Sequence, residues 1–320
     1  MLSELTVIIP MYNAEKFISE TIKSLFDQTY KDFKVILLDD CSDDNSIEIA
    51  KQIINSDTRF EIIKNDKNLG YLKSTNILLS LVRTEYCAFW NADDTCDKDR
   101  FLLQLRFLKE NLDYDLVGSN CMLMDKDSKP IRRVKYPSRI SLDDFNFCGS
   151  SLLFRTKVIE VSGLYNPLFD RIGSEDFEWL LRVSINFKYF CLPYTLYNYR
   201  RIPSSLTLSK DSNPSFIYSH KIVKNIFTRF PDKVKNFYWE DPDIISFFLS
   251  ENQRLLKEEL LNPKGKLRQV LESKIISKDF KGFYKELFLY LKSFLFKADF
   301  FDILKLNFKL MLFFLKNIIK

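Results

Sequence analysis

The chain has 320 residues, 46% of them hydrophobic and 28% charged, with a formal net charge of +5. This length suggests one large domain with an appendage, or two domains, and the composition supports a sizeable core and excludes global disorder. So modest a positive balance does not call for nucleic acid, and no basic run interleaved with stacking aromatics marks a nucleic-acid module.

Residues 5–10 (LTVIIP) are a short apolar run rich in β-branched side chains, the pattern of a buried strand. In MYNAEKFISETIKSLFDQ, Phe17, Ile18, Ile22, Leu25 and Phe26 recur at helical spacing, with Asn13 as candidate N-cap. Residues 33–38 (FKVILL) read as a second strand ending in Asp39 and Asp40. Residues 46–55 read as a helix with Ile47, Ala50 and Ile54 on one face, 60–63 as a strand and 70–82 as a helix. Residues 86–90 read as a fourth strand, followed by an acidic cluster, a helix over 98–111 and a strand over 115–124. Residues 125–144 are polar, basic and Pro-containing, so a loop is expected. A strand over 147–154, a helix with an acidic first turn over 175–186 and a loop over 196–213 follow. From about residue 216 the pattern is helical throughout, and there is no internal repeat.

Alternating apolar strands and amphipathic helices predict parallel βαβ units with both sheet faces covered. In such sheets the ligand crevice lies at the carboxyl ends of the strands. Residues 10–13, Asp39-Asp40 and residues 91–94 all follow strands, so they are expected at one sheet edge.

The six cysteines include no CxxC pair and His220 is the only histidine, which argues against a zinc site. The start MLSELTVIIPMYN has no basic segment and runs directly into a strand, so no signal peptide and a reduced, cytoplasmic setting are expected. No apolar run approaches the ~20 residues needed to span a bilayer.

Three segments can carry chemistry. In FWNADDTCD, residues 89–97, the carboxylates either end a strand and cap a helix or hold a divalent cation. In LLDDCSDDNS, Asp39 and Asp40 can accept hydrogen bonds from a base or a ribose, whereas Asp43, Asp44, Asn45 and Ser46 suit a turn and a cap. In GSEDFEWLLRV, Ser174 suits an N-cap; the acids either complement the helix dipole or supply a general base.

VIIPMYNAEKFISETIKSL, LDDCSDDNS, NDKNLGYLKSTNILL, FWNADD, GSSLLFR, GLYNPLF and SEDFEWLLRV, in this order and spacing over about residues 4–205, resemble family 2 inverting glycosyltransferases of the GT-A fold. The resemblance implies an α/β, Rossmann-like, mostly parallel sheet flanked by helices. It implies a catalytic domain over residues 1–210, with nucleotide-sugar binding in about 1–124 and acceptor binding in 125–210. A helical C-terminal region, 211–320, would follow. It further implies single displacement from a nucleotide-diphosphate sugar, UDP-linked, onto a hydroxyl of a glycan or lipid-linked acceptor in surface polysaccharide, capsule or lipooligosaccharide synthesis. Carried over, Pro10, Tyr12, Asp39 and Asp40 contact the nucleotide, and Lys73, Asn91 and Arg200 serve the donor, with Arg201 an alternative to Arg200. Asp93 and Asp94 hold Mn2+ or Mg2+. Asp176 is the base and Glu175 its neighbour in substrate binding.

The chain departs from that pattern in carrying Asn91 at the first position of the DxD motif and Leu72-Lys73-Ser74 where a small residue and an Arg are usual. The processive signature QxxRW is absent, which favours transfer of one sugar. PMYNAEKF lacks the Gly and Arg of a nucleotidyltransferase loop, and no GxGxxG follows a strand. A catalytically degenerate GT-A protein serving as a binding or scaffold module is the alternative; Asn91 supports it, while Asp93, Asp94 and Asp176 oppose it.

Residues 283–320 mix Phe, Leu and Ile with Lys. In a helix from Asp302, Lys305, Lys309, Lys316 and Lys320 fall within about 60° of arc. Such a helix either lies peripherally on the cytoplasmic, inner-membrane surface or packs on the catalytic domain or on a second subunit of a homo-oligomer.

Overall fold

The computed structural model describes residues 3–140, 142, 147–202, 215–235 and 240–260. The first strand, β1 (Leu5–Met11), shows why the apolar runs read as continuous. Its odd-numbered side chains, Val7 and Ile9, enter one core with helices α1 (Ile18–Phe26), α2 (Ser46–Ile54) and α4 (Arg100–Glu110). Its Ile8 enters a second core with α3 (Tyr71–Leu81) and α6 (Glu175–Val183) on the opposite sheet face. A strand covered on both faces has no solvent side for polar residues.

The other strands are β2 (Phe33–Asp39), β3 (Phe60–Lys64), β4 (Tyr86–Phe89), β5 (Thr95–Cys96), β6 (Leu116–Met124), β7 (Pro130–Val134), β8 (Leu153–Arg155) and β9 (Tyr189–Arg200). They form one sheet in the order β3-β2-β1-β4-β8-β6-β9-β5, with β7 paired to β6. The strands β3, β2, β1 and β4 are mutually parallel, and β6 and β9 are parallel to each other. The strand β8 is antiparallel to both β4 and β6, so the sheet is mixed but mostly parallel, as expected.

Four elements depart from the sequence reading. The segment 125–144 contains β7, closed onto β6 by a turn in which the Asp125 carboxylate accepts the backbone N–H groups of Asp127 and Lys129 at 2.9 Å each. Its side chains are largely exposed, so it carries no buried stripe to announce a strand. The loop expected from residue 196 is still strand up to Arg200 in β9, which contains Pro193, a residue that cannot donate to a ladder. An irregularity absorbs the proline, since the pairing slips between Ser119 and Asn120 just where Pro193 and Tyr194 stand exposed. The expected strand over 147–154 is a 3-10 turn, Gly149–Ser151, followed by the short β8. A further helix, α5 (Lys157–Ser162), was not foreseen. Ser174 stands at the N-cap of α6 as expected, but in left-handed backbone (φ 66°) and without a side-chain capping bond, whereas the N-cap of α1 is Phe17 and not Asn13, itself at φ 49°.

Helices α7 (Ser215–Arg229) and α8 (Pro242–Leu260) agree with the helical reading after residue 216. Tyr218, Ile222, Ile226, Ile244 and Phe248 enter the same core as Trp179 and Leu180 of α6. The first compact unit therefore runs from Met1 to Leu256, past the boundary expected at residue 210. A second unit comprises Lys257–Lys320, of which the end of α8 is described. The lysine-bearing helix expected from Asp302 lies outside the described residues. Among the described residues no helix is long and apolar enough to cross a membrane.

Helix α6 is anchored firmly. Trp179 meets Phe89, Phe154 and Tyr165 edge-on or tilted at centroid distances of 5.8, 5.3 and 5.8 Å, and its indole N–H donates to Gly163 O at 2.8 Å. Such ring pairs add about 0.5–1.5 kcal/mol each beyond area burial. On the same helix a buried Glu178–Arg182 pair (2.9 Å) binds carbonyls of Ser162 and Leu164.

Candidate active site

The parallel register brings the expected strand ends together. Met11 pairs with Asp39, and the Asp40 N–H donates to Met11 O at 2.8 Å. The Trp90 N–H donates to Ile8 O at 3.1 Å, which sets Asn91 beside the same edge.

Asp40 is 3% exposed, and its carboxylate is engaged by its own fold. It accepts Asn65 Nδ2 and the N–H groups of Leu69 and Gly70, each at 2.8 Å. These bonds fix the loop that leads into α3; Gly70, at φ 89°, takes a conformation that other residues rarely adopt. Asp39 is fully buried, accepts the Ser42 N–H and lies 3.7 Å from Lys64 Nζ. Both acids therefore shape the crevice from behind. Tyr12, 49% exposed, is the open surface at this edge. Asn45 stands at the N-cap of α2 without a side-chain capping bond, while Asp44 accepts the Ser46 N–H at 3.0 Å and the Glu15 N–H at 3.1 Å, and Ser46 Oγ accepts the Ala14 N–H at 2.7 Å.

The acidic turn after β4 divides its labour. Asp94 is 1% exposed, and both its oxygens are taken. Oδ1 accepts the Arg200 N–H at 2.7 Å, and Oδ2 accepts the Tyr197 hydroxyl at 2.8 Å and Asn91 Nδ2 at 3.1 Å. Asp94, expected beside Asp93 as a metal ligand, here braces the turn with both oxygens. Asp93 is the reverse case, for its carboxylate accepts no hydrogen bond from any other described residue. Burial pushes the Asp93 carboxyl up, partly offset by its own backbone N–H and the Arg200 charge. A partnerless, desolvated carboxylate suits a divalent cation, which commonly takes one or two carboxylates and completes its shell with water and substrate phosphate. Among the described residues no cluster of three acidic, His or Cys ligands exists.

Arg200 also differs from expectation. It is 1% exposed and saturated within the fold. Its guanidinium donates to Asp93 O (2.6 Å), Ser128 Oγ (2.8 Å) and Glu20 Oε2 (2.6 Å), and it lies 4.8 Å from the Phe17 ring centroid. It is a strut behind the acidic turn, not an open contact for a diphosphate. Arg201, the next residue, carries a buried Nε without a hydrogen-bond partner. Lys73, 52% exposed at its side chain, pairs with Asp170 at 2.6 Å.

Glu175 and Asp176 open α6 and retain partial exposure. Desolvation, then the charge of Asp176, pushes the Glu175 carboxyl up to about 8. Desolvation also raises Asp176, while the Phe177 N–H, donating to Oδ1 at 2.8 Å, opposes the rise. That bond makes Asp176 the member of the pair that ionises first, leaving Glu175 to hold the shared proton.

Two bridges join these segments. Asn91 Nδ2 donates to Ser150 Oγ at 2.7 Å, and a Cβ placed on neighbouring Gly149 would stand 2.8 Å from Asp176 Oδ2. Across the cleft, Arg171 donates to Asn68 at 3.1 Å beside the loop that Asp40 holds. The Asp40, Asp93 and Asp176 segments thus line one region.

Residues 6–162 match the family model described as Glycosyl transferase family 2. These residues, about half of the chain, form a family 2 glycosyltransferase domain. An uncharacterised glycosyltransferase of Methanocaldococcus jannaschii is 28% identical over 227 residues, covering 68% of this chain and 78% of that one. TuaG of Bacillus subtilis, named for teichuronic acid biosynthesis, is 31% identical over 141 residues, 43% of this chain and 55% of TuaG. The fold of this transferase resembles that of TarS from S. aureus solved with UDP-GlcNAc. The TM-score is 0.58 at 17% identity, with 91% of this chain and 92% of that chain covered. Another, longer TarS chain is covered to 48%.

Sequence reasoning missed three residues of the transferase's site. Gly149 and Ser150 belong to GSSLLFR, a motif without an assigned role, and only their contacts reveal one. Arg100 is fully buried on α4 and donates to Phe89 O (2.9 Å) and Ser150 O (3.1 Å), tying the end of β4 to that turn. An arginine in an amphipathic helix reads as solvated, and nothing in its spacing signals otherwise.

Proposed function

We propose that this glycosyltransferase moves one sugar from a UDP-linked donor to a hydroxyl of a polysaccharide or lipid-linked glycan, with inversion. The carrying observation is the shared wall: Asp176 lies against Gly149, and the next residue, Ser150, is bonded to Asn91, two positions before Asp93. A base and a diphosphate site on one turn suit an in-line displacement.

Asp176 Oδ2 takes the proton of the acceptor hydroxyl as its oxygen bonds to the anomeric carbon. The bond from that carbon to the diphosphate oxygen breaks, and UDP leaves with the electron pair. Glu175, protonated near neutral pH, lets the pair approach substrate without two adjacent negative charges. Tyr12 and Pro10 offer a surface for the base, while Asp39 and Asp40 fix the loops around it. Asp93 would hold Mn2+ or Mg2+, with Asn91 alongside, and the ion would neutralise charge growing on the leaving diphosphate. The diphosphate contact expected of Arg200 falls to Arg201. The TarS complex with UDP-GlcNAc supports a UDP donor, and a relative named for teichuronic acid biosynthesis supports a polysaccharide acceptor.

The test is donor hydrolysis across a set of UDP-sugars, wild type against Asp176→Asn, with UDP binding followed by thermal shift with and without Mn2+. Turnover should vanish in the variant while UDP still raises the melting temperature. Undiminished turnover would remove Asp176 from the mechanism.

A further inference from the structure

Among the described residues β7 lines the β6 edge beyond β8, and it opens a run of uniformly positive charge. Between Ser128 and Leu142 the chain carries Lys129, Arg132, Arg133, Lys135 and Arg139 and no acidic residue. Residues 257–320 carry seven further net positive charges, so residues 1–256 outside this segment are net acidic by seven and the segment is a basic island among them. All five are exposed, and none forms an ion pair with a described carboxylate. Six other arginines, Arg59, Arg106, Arg155, Arg182, Arg200 and Arg254, each face an acidic partner within 3.1 Å, and Arg83 and Arg100 are bonded to backbone carbonyls.

The patch borders the active site. Strand β6 pairs with β8 at Leu116 and Val117 and with β7 at Cys121–Met124, so β7 takes over the edge that β8 leaves. Val134 and Tyr136 pack against Cys121 and Cys148, and Cys148 directly precedes Gly149, the residue beside Asp176. Arg132 shares that inner face by strand alternation; the Cys121 thiol there is lowered first by its hydrogen bond with Cys148, against burial, with the Tyr136 hydroxyl and then the Arg132 charge adding to the fall. Arg133 and Lys135 stand on the other face. Edge strands often carry a lysine to block pairing with other sheets. That need is met by one or two charges and does not explain five without acidic counterparts beside a catalytic turn.

We infer that β7 and the segment to Arg139 are the docking surface for the acceptor, and that the acceptor is an anionic glycan chain. This deepens the transferase reading and rests on it. Cations strung along an extended edge strand match charges repeated along an extended polymer. Arg132 on the inner face and Arg133 and Lys135 on the outer face would grip the chain from both sides of the edge strand while its terminal hydroxyl reaches Asp176. Charge here steers and retains the acceptor without reading its sequence of sugars.

The test compares wild type with the variant Arg132→Gln/Arg133→Gln/Lys135→Gln/Arg139→Gln. Probes are polygalacturonate as the anionic glycan, dextran as the neutral one, and phosphatidylglycerol vesicles as the lipid surface. UDP affinity and melting temperature are followed in parallel. Wild type should bind polygalacturonate with a Kd that weakens as salt rises, and dextran much less. The variant should lose about tenfold or more of that affinity at unchanged UDP affinity and melting temperature. Equal binding by the variant, equal binding of dextran, no binding of polygalacturonate by wild type, or a preference for the vesicles would each overturn the inference. Loss of UDP binding by wild type would instead strike the donor reading, so the two failures are separable.

Discussion

Gly149 and Asp176 are in contact range: a single added methyl on the glycine would stand 2.8 Å from the carboxylate oxygen Oδ2. No positive φ is recorded at Gly149, so closeness, not backbone freedom, is what requires glycine there. Gly149→Ala should therefore displace the base with the backbone conformation intact. A shift of that size is expected to lower kcat about 100-fold, with UDP affinity retained. Steady-state kinetics beside a UDP thermal shift check it; an unchanged kcat would show that Asp176 has room to spare.

Asp93 and Asp94 should separate cleanly. Asp94→Ala strands the Tyr197 hydroxyl, the Arg200 N–H and the Asn91 amide in a buried site. Removing one partner of such a network should cost about 3–5 kcal/mol of stability. Asp93→Ala removes no hydrogen bond to another residue, so its denaturation midpoint should stay within about 0.5 kcal/mol of wild type. Its response to Mn2+ should nevertheless disappear. Urea melts and Mn2+ titrations of the two variants make the comparison.

Neighbouring arginines should also differ. Arg200→Lys replaces a guanidinium that reaches Asp93 O, Ser128 and Glu20 at once. A single ammonium cannot reproduce that fork, and a loss of about 2 kcal/mol is expected. Arg201→Ala should leave stability nearly unchanged and raise KM for the donor. Equal destabilisation by both would contradict the division of roles.

Glu175 supplies a pH signature. Its folded-state carboxyl is raised from 4.5 to about 8 by desolvation and Asp176. The folded protein thus keeps a proton that the unfolded chain has released. Stability from this group is complete below pH 4.5 and is lost as pH rises toward about 8. Glu175→Gln should flatten that decline, recovering about 2 kcal/mol or more near pH 9 relative to wild type. Denaturant midpoints at pH 5 and pH 9 decide it, and parallel curves for the two proteins would refute the assigned proton.

Much of this molecule was legible before any coordinates. β1 through β4 and their intervening helices announced themselves because strands buried on both faces are continuous apolar runs, and amphipathic helices repeat at 3.6 residues. Strands β7 and β9 hid for the opposite reason. The exposed side chains of PIRRV lack a buried stripe, and FCLPYTLYNYR is interrupted by a proline that only an irregular register accommodates.

The sequence by itself determined the alternating α/β plan, the family, and the gathering of Asp40, Asp93 and Asp176 at strand ends and a helix start. Those follow from periodicity and motif order, which are local properties of the chain. Tertiary structure alone decided which acids are open and which are spent. Asp93 and Asp94 are adjacent and chemically identical, and Arg200 and Arg201 likewise. Only the distant partners Tyr197, Glu20 and Ser128, brought within hydrogen-bond reach by folding, consume Asp94 and Arg200 and leave the Asp93 carboxylate and the Arg201 Nε without hydrogen bonds from other described residues.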